Sequence, residues 1–210
     1  MPGAPDIRWT SERSLRIEGP PPVAVAEALR GLNGVLDATP TQNATHLTLD
    51  PLAGITAQAI AGRLSRLQRQ TPPEPRVHEI PACYEAPFAP DLAEVARLAG
   101  MATDEVIRLH ASTEFIVAFM GFAPGFGYLT GLPEALRVPR LASPRTRLEA
   151  GSVGIAGDYS GVYALPGPGG WRIIARTKAA MFGVERPEPA LLRAGDVVRF
   201  KPVSAEAFAR

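Results

Sequence analysis

Cysteine is nearly missing from this chain: Cys83 is the only one in 210 residues. That excludes an internal disulfide and a cysteine-based zinc centre. The histidines, His46, His78 and His110, lack metal-ligand spacing. Charge of one sign is missing too, with 22 basic against 21 acidic side chains. The totals therefore carry no basic excess for a nucleic-acid backbone. Lysine is scarce, present only as Lys178 and Lys201, and no biotinyl-lysine motif is visible. Apolar runs such as FIVAFM fall far short of a membrane span. The opening MPGAPDIRWTSER has no charged stretch followed by an apolar core, so no signal peptide is expected and a cytoplasmic protein is the simplest expectation. No G-x-x-x-x-G-K-[ST] phosphate loop occurs. There is no G-x-S-x-G elbow either, because AGSVG sets Ser152 directly after its glycine. Composition names no reaction.

Glycine and proline are abundant instead, at 20 and 22 residues. Eleven of the 20 glycines lie between Gly121 and Gly170, interleaved with strand-like runs, a pattern of ordered turns in a β-rich domain. The densest stretch, GFAPGFGYLTGL (121–132), sets bare backbone beside three large rings.

The first 80 residues alternate strand and helix. A strand is predicted over 7–17, a helix over 23–32 closed by Gly31 and Gly34, short strands at VLDATP and HLTLD around the turn TQNA, and a helix over 55–70 with Ile60, Leu64 and Leu67 on one face. RVHEIPACY (76–84) supplies a last strand, assignable to either side of the break TPPEP (71–75). The order βαββαβ is that of a ferredoxin-like split-βαβ unit. Two short helices follow, 91–100 and 103–112, with Thr103 placed to cap the second. They could pass for a DNA-binding helix-turn-helix, but Asp104 and Glu105 would face the groove. From Glu114 onward EFIVAFM, SVGIAG, GVYAL, WRIIAR and DVVRFK read as short strands of a closed barrel or sandwich. The expected fold class is α+β: a ferredoxin-like module (1–75), then a β-barrel domain (76–210) carrying a helical hairpin (91–112).

Candidate chemistry gathers in 121–177. PRLASPRTR (139–147) presents Arg140, Arg145 and Arg147 in a proline-broken loop; guanidinium forks suit carboxylates or phosphate, and a solvated basic loop is the alternative. GSVGIAG spaces Gly151, Gly154 and Gly157 three apart around Ser152, which either leaves amides open to an anion or marks a tightly packed strand. PGPGGW (166–171) reads as a tight turn. His110 is a candidate proton carrier or a packed histidine. Cys83 reads as inert core.

FMGFAPGFGYLTGLP, VPRLASPRTRLEAGSVGIAG, GVYALPGPGGW and LLRAGDVVRF, in that order, resemble allophanate hydrolase subunit 1, the family of the 5-oxoprolinase B-type subunit and the KipI-type kinase inhibitors. The resemblance runs from about Val77 to Val203 and extends weakly through LDATPTQNATHLTLDP. It implies a cyclophilin-like barrel and an obligate C-type partner (allophanate hydrolase subunit 2-like), with a site shared between them. With an A-type (LamB/YcsF-like) chain, such a pair forms an ATP-dependent 5-oxoprolinase opening a lactam to glutamate. It implies ATP used by the complex, at no residue assigned in this chain; the residues themselves show no metal-type spacing and no biotin attachment motif. The substrate is then a small acid or lactam; no nucleic acid or membrane partner is expected. Alternatives are a KipI-type inhibitor of a histidine kinase, or half of a urea carboxylase-like carboxyltransferase. Barrel shape alone suggests a prolyl isomerase.

On this reading Phe122, Gly125, Phe126, Tyr128 and Tyr159 line a pocket. Arg140 and Arg145 bind the substrate with Ser152, Gly154, Gly157 and Ser160 nearby, and His110 moves the proton. The chain departs from the family wording: PGFGYL replaces PGFPYL, Glu149 precedes AGSVGIAG, Gly167 replaces the serine of SPGGW, and Tyr159–Ser160 stand where Gln-Thr is usual. The last change points to a different substrate with the same pairing.

Overall fold

The computed structural model describes residues 5–19, 21–67 and 74–210. These form two units, Met1–Glu74 and Pro75–Arg210.

In the first unit the expected strand 7–17 is a hairpin, β1 (Asp6–Ser11) and β2 (Ser14–Glu18). Its turn at Glu12–Arg13 has no glycine, asparagine or proline to announce it; Arg13 N–H donates to Ser11 Oγ at 3.2 Å. Helix α1 (Pro22–Leu29), β3 (Val35–Pro40), β4 (Ala44–Leu49) and α2 (Ala57–Leu67) follow. The sheet runs β1-β2-β4-β3 and is antiparallel throughout. In a split-βαβ unit the place beside the first strand belongs to the last strand. Here β1 occupies it, so the closing strand comes from the start of the chain. Leu15 and Ile17, alternate residues of β2, meet Val25 and Leu29 of α1 and Ile60 and Leu64 of α2 in a closed core. The end of the predicted helix (68–70), the first part of the break (71–73) and the side chain of Leu67 lie outside the described residues.

The second unit opens with β5 (Val77–Cys83), so RVHEIPACY belongs here. Then come α3 (Leu92–Ala99), α4 (Thr103–Ser112), β6 (Phe115–Met120), β7 (Gly127–Thr130), β8 (Arg145–Leu148), β9 (Ser152–Ala156), β10 (Tyr159–Val162), β11 (Gly167–Gly169), β12 (Arg172–Arg176), β13 (Val197–Val203) and α5 (Ala205–Ala209). Seven strands close into a barrel in the order β10-β7-β6-β13-β5-β12-β9, and β8 and β11 form a separate ribbon. β5 lies parallel to β13 along its whole length, Val77 opposite Val197 and Cys83 opposite Val203. Asp196, just before β13, locks that seam through Arg76 (2.7 Å) and His78 (2.9 Å). Burial alone would raise its carboxyl pKa, but the bonds from Arg76, the Arg193 amide and His78 more than offset that and hold it below the usual range. Gly100, left-handed at φ +67°, ends α3. Thr103 is the first helical residue rather than the cap, which is Ala102 and offers no side-chain bond. Val95 and Val106 from the helices join Ile80, Phe115, Val153 and Phe200 in one core.

Candidate functional site

The loop before β7 turns tightly: Ala123 N–H donates to Gly121 O at 2.8 Å and Phe126 N–H to Ala123 O at 3.0 Å. Phe122 is thereby held at φ +67°, a strained conformation for a bulky residue, with its ring 60% exposed. Phe126 points inward and is met edge-to-face by Phe122, Tyr128, Tyr163 and Trp171 at centroid distances of 5.1–5.4 Å. Tyr128 also stacks on Phe119 at 4.4 Å and meets Tyr159 at 5.5 Å. Glycine makes room for these rings: a Cβ on Gly161 would lie 2.9 Å from the Phe126 ring. That is why bare backbone and large rings occur together.

Beside Phe122 opens a cleft of about 300 Å³ lined also by Arg140, Leu141, Pro144, Pro168 and Gly170. Arg140 is exposed there and has no hydrogen-bond or ion-pair partner among the described residues. Burial pushes the Tyr163 hydroxyl upward in pKa, against the Trp171 backbone and the nearby Arg140 charge. This is a surface able to take an anion beside an aromatic ring.

The other expected site residues are placed differently. Arg145 is not open to a substrate: its fork grips buried Asp91, Nη1 to Oδ2 at 2.9 Å and Nη2 to Oδ1 at 2.7 Å. Asp91 also accepts the Ile173 amide at 2.7 Å, so the pair ties β8 to the start of α3 and to β12. The amides of 151–157 are not an open anion nest. Gly151 N–H donates to Tyr163 O, Ser152 N–H to Glu149 O and Gly157 N–H to Val138 O, and β9 pairs on both edges with β10 and β12. Ser152 Oγ is spent on Glu149 O at 2.7 Å. Gly154 is packed under Trp171 and Ile173. Gly125 (φ +77°) sits against Phe182 and Met181 rather than lining a pocket wall.

His110 lies in the core, fully buried, and is not among the residues lining the Phe122–Arg140 cleft. Its Nδ1 bonds Tyr84 Oη at 2.8 Å and its Nε2 bonds Ser160 Oγ at 2.9 Å, among the rings of Phe115 and Phe200. Ser160 in turn reaches Gly154 O at 3.4 Å. Burial pulls His110 down to about 3 and pushes Tyr84 up, so this network is neutral and structural. Ser160, where the resembled wording has threonine, keeps the hydroxyl that the histidine needs. Tyr84, Asp91 and Tyr163 were not legible as site neighbours, because each is far in sequence from the residue it holds.

A seven-stranded closed barrel, a small antiparallel sheet and the flanking helices make this an α+β protein. The chain belongs to the family described as carboxyltransferase domain, subdomain C and D, matched over residues 16–192. It is 41% identical to the B subunit of 5-oxoprolinase from Escherichia coli O157:H7 over 91% of this chain and 93% of that protein. It is 44% identical to the B subunit of 5-oxoprolinase from Bacillus subtilis (strain 168) over 68% of this chain and 59% of that one. The crystal structure of TTHA0988 matches at a TM-score of 0.78 and 36% identity, covering 92% of this chain and 40% of that chain.

Proposed function

We propose that this chain is the B-type component of an ATP-dependent 5-oxoprolinase-type complex, opening a small lactam acid to its amino acid, and is inactive alone. The observation that carries this reading is the end-to-end likeness to the B subunit of the E. coli 5-oxoprolinase. The partner is a C-type (allophanate hydrolase subunit 2-like) chain, joined by an A-type chain. This chain's half of the shared site is the Phe122–Arg140 cleft. Arg140 orients the substrate carboxylate by a charge-assisted bond, and Phe122 closes water out from one side. The complex uses ATP, at no site assigned to this chain. The family description favours a second reading, half of a carboxyltransferase acting with biotin carried elsewhere.

The test is co-expression with the C-type and A-type chains and an assay of ATP-dependent 5-oxoproline consumption. Turnover is expected only with all three. Arg140→Ala is expected to lower kcat/KM by about a hundredfold, the upper end of one charged hydrogen bond, while the complex still co-purifies. Carboxyl transfer to a small amide, without lactam opening, would establish the second reading instead. Failure to pair at all would leave the kinase-inhibitor alternative.

A further inference from the structure

A second cleft, of about 550 Å³, lies at the end of β12 and is lined by Phe88, Ala164, Arg176, Lys178, Phe182 and Phe208 among others. We infer that it binds a small organic carboxylate with an apolar ring or chain, gripped by Arg176 and Lys178.

Charge pairing first singles it out. Among the described residues of the barrel unit, every lysine and arginine except Arg140, Arg176, Lys178 and Arg186 is ion-paired to an aspartate or glutamate. Arg140 belongs to the cleft already described. Arg176 and Lys178 line this one, and Arg186 donates to Ala180 O at 2.8 Å, a residue of its rim. No aspartate or glutamate is among its described lining residues. Unneutralised cations brought together without a carboxylate repel one another, and a bound anion relieves that.

The cleft is also built rigidly. Thr177 N–H donates to Gly151 O at 2.8 Å, and Gly151 stands at φ +81° with any Cβ falling onto the Thr177 carbonyl. Arg176 spends Nε on Ala150 O at 3.3 Å, which fixes the guanidinium plane and leaves its terminal nitrogens without a partner among the described residues. Lys178 Nζ sits 5.3 Å from the centre of the Phe208 ring, which packs on Phe88 at 4.6 Å. Two cations and three phenylalanine rings in one lining suit an acid with an apolar body, not a bare inorganic ion. A Cβ on Gly125 would lie 2.7 Å from Phe182, so the 121–127 loop rests directly on this wall.

The test uses the full chain without its partners, so it is independent of the proposed activity. Amide-resonance titrations with benzoate, benzamide and inorganic phosphate are compared. Benzoate is expected to shift Gly151 and Thr177–Ala180 with saturation below about 10 mM, the range of one charged contact plus a ring. Lys178→Gln is expected to weaken these shifts about tenfold, with Arg140→Gln leaving those at Gly151 and Thr177–Ala180 unchanged. Benzamide binding equally well, phosphate binding in place of benzoate, no saturation, or no effect of Lys178→Gln would each overturn the inference.

Discussion

Arg145 and Asp91 show how the same residue type can be a ligand fork or a strut. The carboxylate is buried and receives three bonds, two from the guanidinium and one from Ile173 N–H. Removing the cation leaves a desolvated carboxylate between the start of α3, β8 and β12. Arg145→Ala is therefore expected to cost about 3–5 kcal/mol of unfolding free energy in urea titration. Arg145→Lys should recover little, since an ammonium cannot form both bonds. Loss of activity in either variant would then track loss of fold, unlike Arg140→Ala.

His110 gives a pH signature at the same scale. Folded, it stays neutral down to about pH 3; unfolded, it takes a proton near 6.5. Between those values the unfolded chain binds more protons, so stability is full above pH 6.5 and falls as pH drops toward 3. The slope from this one group is about 1.4 kcal/mol per pH unit. His110→Gln, compared with the natural chain between about pH 6.5 and pH 4, is expected to show a correspondingly shallower loss. Equal slopes would mean that the ring is protonated in the fold.

Among the elements, glycines divide into those whose space is taken and those whose backbone alone is unusual. Gly157 (φ +53°) has nothing within 4 Å of where a methyl group would sit, so Gly157→Ala should cost only about 1–2 kcal/mol for the left-handed conformation. Gly151→Ala meets the Thr177 carbonyl as well as φ +81°, and is expected to lower thermal stability far more and to distort the Arg176–Lys178 cleft. Strands β6, β9 and β12 were legible as short apolar runs, and β13 by buried Val198 and Phe200 alternating with exposed Arg199 and Lys201. β7, β8 and β11 were not: GYLT, RTRL and GPG carry glycine, proline or exposed arginine, and only cross-strand partners make them strands. The same limit hid the site. Arginines in 139–147 were visible as candidates, but which of them is spent on Asp91, 54 residues away, is decided by folding alone.

At the scale of the whole chain, the placement of β5 decides where the barrel unit begins. Composition left RVHEIPACY open to either side of the 71–75 break. In the structure it pairs with β13 residue for residue and with β12 at Cys83–Arg176, so it stands between two barrel strands. Its Ile80 and Ala82 are core residues, and Arg76 just before it is clamped by Asp196. The first unit has no use for this strand, because β1 already fills the sheet position that a closing strand would take. A fragment of residues 75–210 is therefore expected to unfold cooperatively in urea with a single transition, whereas one beginning at residue 85 should not fold. Losing β5 opens the barrel between β12 and β13, exposes two unpaired edges and removes the Arg76–Asp196 lock. A folded 85–210 fragment, seen as dispersed amide resonances, would show that the barrel closes without β5 and that the strand is interchangeable between the units.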